Sequence, residues 1–255
     1  MANSDRRGLP LGRQAKWIYA KNRRDKAYHP PRNTQRDYKS FRISRINCPE
    51  FSHLKLLFGW LVYFAMFYLT ETLIPAEQCI PVHMWLDDVI SFQEWFVIPY
   101  ILWYGLLAFS LGYFAVYNVD SFRRLQIYII ITQVLAIVIY IVFPTRQDLR
   151  PEVFPRDNFL TDIVQFLYRI DTNTGVCPSM HVAFSLAMAS VWGKEGEVGK
   201  LWKGCIYVAV TLICLSTMFI KQHSAVDFFA AIPICLLAEW ITYGKDCRSK
   251  KNSTK

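Results

Sequence analysis

The sequence predicts an all-α protein, a polytopic membrane bundle of six transmembrane helices. Three observations carry that expectation. Over half of the 255 residues are hydrophobic. Charge gathers in the first 55 residues and the last dozen. Between them lie runs such as "WFVIPYILWYGLLAFSLGYFAVY", Trp95 to Tyr117, without one charged residue. A helix rises about 1.5 Å per residue, so about 20 residues cross a hydrocarbon layer of about 30 Å. Only helices or closed barrels satisfy their backbone in lipid. Long helices of a soluble protein normally keep a polar face, and these runs have none.

Six spans are expected, at roughly 56–74, 95–117, 125–143, 178–193, 201–220 and 224–243. The fourth is short and needs its polar first turn to reach across. The sixth carries Asp227 and Glu239. No apolar segment occurs in the first 50 residues, so the first span is expected to act as its own insertion signal. This divides the chain into a basic segment 1–55, a membrane domain 56–243 and a basic tail 244–255.

Lysine and arginine orient the bundle. Of the 29 in the chain, 24 fall in the N-terminal segment, near Arg123 and Arg124, around Lys194, Lys200 and Lys203, and in the tail. Six spans put all of these on one side. The other side receives Arg146, Arg150, Arg156, Arg169 and Lys221. The positive-inside rule then places both termini in the cytosol. The connectors 75–94 and 144–177 and the start of the sixth span face outward, to the extracellular, periplasmic or lumenal side.

The N-terminal "RQAKWIYAKNRRDKAYHPPRNTQRDYK" reads as a solvated tail, or alternatively as an arm lying on anionic headgroups. No motif supports nucleic-acid binding. The seven cysteines lack metal-ligand spacing. Cys205, Cys214 and Cys235 fall in spans as small apolar packers, and Cys48 and Cys247 on the cytosolic side. Cys79 and Cys177 share the outer side, where a disulfide and two free thiols are both open.

Ionisable groups at membrane depth are costly and point to function. In "KQHSAVDFFAA", His223 and Asp227 stand four residues apart, which on a helix puts them on one face. A carboxylate on one ring nitrogen fixes the tautomer and leaves the other nitrogen as nucleophile or base. Taken alone, the pair is better explained as a polar pair satisfying itself at a helix end. In "CPSMH", Pro178 suits the first helical position. The N–H groups of Ser179, Met180 and His181 are then unpaired donors at a helix start, which is an anion site. The Ser179 hydroxyl adds a donor, and His181 stands at the same mouth. In "FPTRQDLRPEVFPRDNF", Arg146 and Arg150 are expected on one face of a helical turn, as bidentate phosphate binders. Lys221 adds charge beside His223. Two histidines, an aspartate, an anion-binding turn and several cations at one face are equipment for phosphoryl transfer.

At these residues the chain resembles the type 2 phosphatidic acid phosphatase superfamily, whose blocks are written KxxxxxxRP, PSGH and SRxxxxxHxxxD. The second reads "PSMH", Pro178 to His181. The third reads "STMFIKQHSAVD", Ser216 to Asp227, with Thr217 in place of arginine. The first keeps Arg150 and Pro151, with Phe143 at the lysine position, which leaves Arg146 to take that role; Lys221 or another cation is left to compensate for the arginine that Thr217 replaces. The resemblance implies that His223 attacks phosphorus, that Asp227 orients it and that His181 protonates the leaving oxygen. It further implies that Arg150, Ser179 and the PSMH backbone, Met180 included, hold phosphate. It implies a lipid phosphate substrate in the bilayer and neither metal nor other cofactor. Its members include hydrolases and phosphotransferases such as sphingomyelin and inositol phosphorylceramide synthases; the haloperoxidases of the same fold are soluble. Hydrolysis of a lipid phosphate is the leading expectation, transfer to a lipid or polyol hydroxyl the alternative. A transporter or scaffold is a third reading, without the inverted repeat or broken spans that transporters show.

Overall fold

The computed structural model describes the backbone of residues 38–253 and the side chains of residues 38–244. The expected arm over residues 13–39 lies almost wholly outside the described residues, as do the side chains of the basic tail. The regular structure of the described residues is helical apart from one two-stranded sheet. The long elements are α1 (Phe58–Leu73), α3 (Val97–Tyr117), α4 (Val119–Val142), α6 (Met180–Lys194), α7 (Lys200–Phe219) and α8 (Ala225–Ser253). Two shorter helices, α2 (Trp85–Val89) and α5 (Phe159–Ile170), lie in the connectors.

Among the described residues, five segments are long and apolar enough to cross a membrane: Ser52–Leu73, Glu94–Tyr117, Val119–Val142, Lys200–Phe219 and Ala225–Gly244. The expected fourth span corresponds to α6, whose 15 residues fall short of that length. It is the innermost helix, packed against α3, α4, α7 and α8. Ala183, Ala187 and Met188 on it are fully buried. Small residues let neighbouring backbones approach closely, and close packing is what associates helices in lipid. The N-terminal end of α6 lies beside Tyr100 and Trp103 of α3. At its other end Trp192 Nε1 donates to Ser110 Oγ at 2.9 Å. Beyond that, Glu195 accepts from Asn118 and Ser121 at the α3–α4 turn.

Caps fix where the helices start. The Asn118 side chain accepts from the Ser121 N–H, so α4 begins at Val119 and carries Arg123 and Arg124 within its first two turns. The expected start at 125 was therefore late: charges end an apolar run before they end a helix. Asn158 likewise caps α5, accepting from Leu160 and Thr161. This strongly amphipathic helix, which the expectation of a plain connector passed over, buries Val164 and Leu167 with Phe92, Val97, Tyr100 and Ile220.

At the end of the bundle where α6 begins, the connectors are laced together. Strand β1 (Ile80–Pro81) pairs in parallel with β2 (Thr145–Arg146), and Arg146 bridges to Thr174. Gly175 N–H donates to the Thr145 carbonyl and Cys177 N–H to the Thr145 hydroxyl. Arg146 thus sits in a strand and Arg150 in irregular chain, which corrects the expectation of a shared helical turn. A parallel pairing with β1 satisfies the backbone that a turn of helix would otherwise have satisfied. Near the opposite end, Tyr38 donates to the Ala115 carbonyl at 2.6 Å and Phe51 is buried, so residues just before 56 pack on the bundle.

Candidate functional site

The site is built on the start of α8. Ser224 stands immediately before that helix, its hydroxyl accepting from Val226 N–H at 3.1 Å. Asp227 Oδ2 reaches back to the Ser224 N–H at 3.0 Å. This is a variant of the capping box: the third helical residue takes the cap's N–H through its side chain, while the cap's hydroxyl takes the N–H of the second helical residue. The same Oδ2 lies 3.1 Å from His223 Nδ1. The pair therefore meets around a helix start and not along a helical face: His223 precedes the helix, and the box aims the carboxylate. The Asp227 side chain is wholly buried and that of His223 is 10% exposed. Oδ1 of Asp227 has no hydrogen-bond partner among the described residues.

His181 comes to the same place from α6. Its ring centroid lies 5.8 Å from that of His223, with the planes inclined at 61°. It rests against Tyr100 at 4.5 Å and Trp103 at 4.3 Å. Its Nε2 is buried without a hydrogen-bond partner among the described residues. Ser179 is the N-cap of α6, with its hydroxyl accepting from Val182 N–H. Pro178 therefore precedes the cap and is not the first helical residue, a correction to the expected position. Its carbonyl accepts from the Tyr140 hydroxyl at 2.7 Å. Ser179 N–H is not a free donor either, since it donates to the Asp227 carbonyl at 3.0 Å. That bond joins the two motif turns directly. The N–H groups of Met180 and His181 have no acceptor among the described residues. The Met180 side chain is buried in the main hydrophobic core.

The cations are placed differently. Arg150 donates from Nη1 to the Tyr168 carbonyl at 3.1 Å. From Nη2 it reaches the carbonyls of Asp171 at 2.7 Å and Thr172 at 2.9 Å, and Gln222 Oε1 at 3.2 Å. Its guanidinium lies over the Tyr168 ring at 4.5 Å. Arg150 thus closes the C-terminal end of α5, and burial pulls its pKa down against the opposing pull of Tyr168 and Asp171. Arg146 pairs with Asp148 at 3.0 Å and donates to the carbonyls of Ala76 and Cys79, in the laced connectors. Lys221 has a left-handed backbone, φ 54°, and its ammonium donates to the Asp87 carbonyl at 2.7 Å. Burial lowers its pKa, with Asp87 and Asp88 opposing.

Several residues outside the expected set also belong to the site. Asp87 on α2 is buried, and its carboxylate accepts from Ser224 Oγ at 2.5 Å, Ala225 N–H at 2.8 Å and Met84 N–H at 2.9 Å. Thr217, at the position of the block's arginine, offers its carbonyl to the N–H groups of Gln222 and His223. Asp171 Oδ2 accepts from the Tyr100 hydroxyl at 3.0 Å and from Gln222 Nε2 at 2.7 Å. Cys177 and Cys79 are both free thiols. Burial first, and then the Asp227 carboxylate, pushes the Cys177 thiol up to about 12. Among the described residues no three His, Cys, Asp or Glu side chains converge as a metal-ligand set.

No family model, curated protein or solved structure matches this chain.

Proposed function

We propose that this chain is an integral-membrane lipid phosphatase, a divergent relative of the type 2 phosphatidic acid phosphatases. The observation that carries the reading is the meeting of His181 with the His223–Asp227 pair, the two histidines standing more than forty positions apart in sequence. Asp227 on Nδ1 leaves Nε2 of His223 to attack phosphorus. The lipid oxygen leaves with a proton from His181. His181 then takes a proton from water, which attacks the phosphohistidine and releases inorganic phosphate. The start of α6, with the open N–H groups of Met180 and His181, holds the phosphoryl oxygens.

The same reading includes six spans. From His181 to Glu195, α6 runs beside α3 from Tyr100 to Asn118. A helix sheathed by four others needs no lipid-facing length, so 15 residues with a polar turn suffice. With six spans, both termini face the cytosol and the histidines face the extracytoplasmic side.

The test is phosphate release from a panel of phospholipid and isoprenyl phosphates in detergent. His223→Ala is expected to lower it about a thousandfold or more. His181→Ala and Asp227→Asn are each expected to lower it about 10²- to 10⁴-fold. Equal rates in wild type and His223→Ala refute the mechanism. Release that requires an added lipid or polyol hydroxyl replaces hydrolysis by transfer.

A further inference from the structure

We propose that Asp171 is a positioning residue that sets His181 against His223, an inference that rests on the function proposed above. One carboxylate oxygen holds two arms. The Tyr100 hydroxyl donates to it at 3.0 Å, and the Tyr100 ring lies against His181 with planes at 30°. Gln222 Nε2 donates to the same oxygen at 2.7 Å, and Gln222 is the residue before His223. The other end of that amide is fixed as well, because Gln222 Oε1 accepts from Arg150 Nη2 at 3.2 Å. Arg150 also grips the Asp171 carbonyl at 2.7 Å. Asp171 therefore joins the surface on which one histidine rests to the backbone that carries the other.

His181 depends on that surface. Its Nε2 has no hydrogen-bond partner among the described residues, so stacking on Tyr100 and Trp103 is what orients the ring. His223, by contrast, has Asp227. A catalytic group misplaced by about 1 Å costs about a hundredfold in rate. Releasing Tyr100 is thus expected to act on turnover and leave substrate affinity nearly untouched.

The experiment uses the full chain in detergent with a short-chain phosphatidate as probe. It compares wild type, Asp171→Ala, Asp171→Asn, Tyr100→Phe, the Tyr100→Phe/Asp171→Ala double variant and His223→Ala. Asp171→Ala is expected to lower kcat at least about tenfold with KM within about threefold. Asp171→Asn, which keeps an acceptor for both arms, is expected to recover most of the loss. Tyr100→Phe keeps the ring and loses only the tether. It is expected to lower kcat in the wild-type background and to add nothing to Asp171→Ala. Three results overturn the inference: kcat of Asp171→Ala within twofold of wild type, a Tyr100→Phe loss that persists in full beside Asp171→Ala, or no rescue by asparagine. If His223→Ala releases phosphate as fast as wild type, the proposed function falls and this inference with it. If His223→Ala is inactive while Asp171→Ala is not impaired, only the inference falls.

Discussion

Replacing Asp87 by alanine is expected to cost more stability than any exposed substitution in the connectors. Asp87 is 4% exposed. Its carboxylate takes three donors, from Met84 N–H, Ser224 Oγ and Ala225 N–H. Two of these belong to the start of α8, and Ser224 is buried. Alanine leaves those donors without an acceptor in a space too dry to solvate them freely. A buried unsatisfied donor costs about 1–3 kcal/mol, and a hydrogen bond to a charged group contributes about 1.5–3 kcal/mol. The three bonds do not add in full, so about 3–5 kcal/mol is expected for the residue. For a chain of this size that is a fall in melting temperature of about 6–20 °C. The assay is thermal unfolding of the purified protein in one detergent, with Asp88→Ala as control. Asp88 is exposed and its ion pair among the described residues is with the exposed His83, so its loss is expected within about 1 kcal/mol. Phosphate release is expected to fall with Asp87→Ala even below its melting range, because the box it supports aims Asp227 at His223. A melting temperature within 2 °C of wild type refutes the role given to Asp87.

Cys177 is expected to resist alkylation at neutral pH. The thiolate is the reactive form, and burial with Asp227 nearby holds that thiol near 12. Its iodoacetamide rate at pH 7.5 is expected at least about a hundredfold below that of an ordinary peptide thiol of pKa about 8.5. The rate is expected to keep rising with pH above 10, where the ordinary thiol has levelled; a plateau below pH 9 by mass spectrometry of the peptide contradicts this. Gly175 has φ +58° and lies 3.3 Å, at its would-be Cβ, from both Glu71 Oε1 and a Phe67 ring carbon. Gly175→Ala is expected to cost about 1–2 kcal/mol, read as a lower melting temperature; an unchanged one contradicts the strain.

Much of the architecture was legible because lipid imposes a simple code. Apolar runs of about 20 residues were enough to place five segments within a few residues, apart from the early start of α4. The inner helix α6 was harder to read, since its length is set by neighbours and not by lipid. Helix α5 was missed for a different reason. Its hydrophobic stripe lies inside a segment that six-span counting assigns to a connector, although the asparagine cap and the spacing of Leu160, Val164 and Leu167 were there to be read. At the site, the spacing His-x-x-x-Asp suggested a shared helical face, and the contact forms by a capping box. "HSAVD" contains that box in plain sight, as a serine followed three residues later by an acid. Asp87 and Asp171 were not legible at all, because each acts through tertiary contacts with residues more than fifty positions away.

The largest departure between motif and geometry concerns positive charge. The sequence offered Arg146, Arg150 and Lys221 as phosphate binders, and all three donate to main-chain carbonyls. Such carbonyls are abundant here because three connectors and a helix end converge on the site. A carbonyl left dry costs about as much as a lost hydrogen bond, and a long cation satisfies several at once. Arg150 covers three of them, which explains why lysine at that position would be a poor substitute. In the proposed mechanism, direct contact with a phosphoryl group falls to the open N–H groups of Met180 and His181. That division favours a substrate whose phosphate arrives at a backbone cradle. In this proposed site the cations hold the cradle's walls, while His181 and His223 are the side chains left with nitrogens to spend on chemistry.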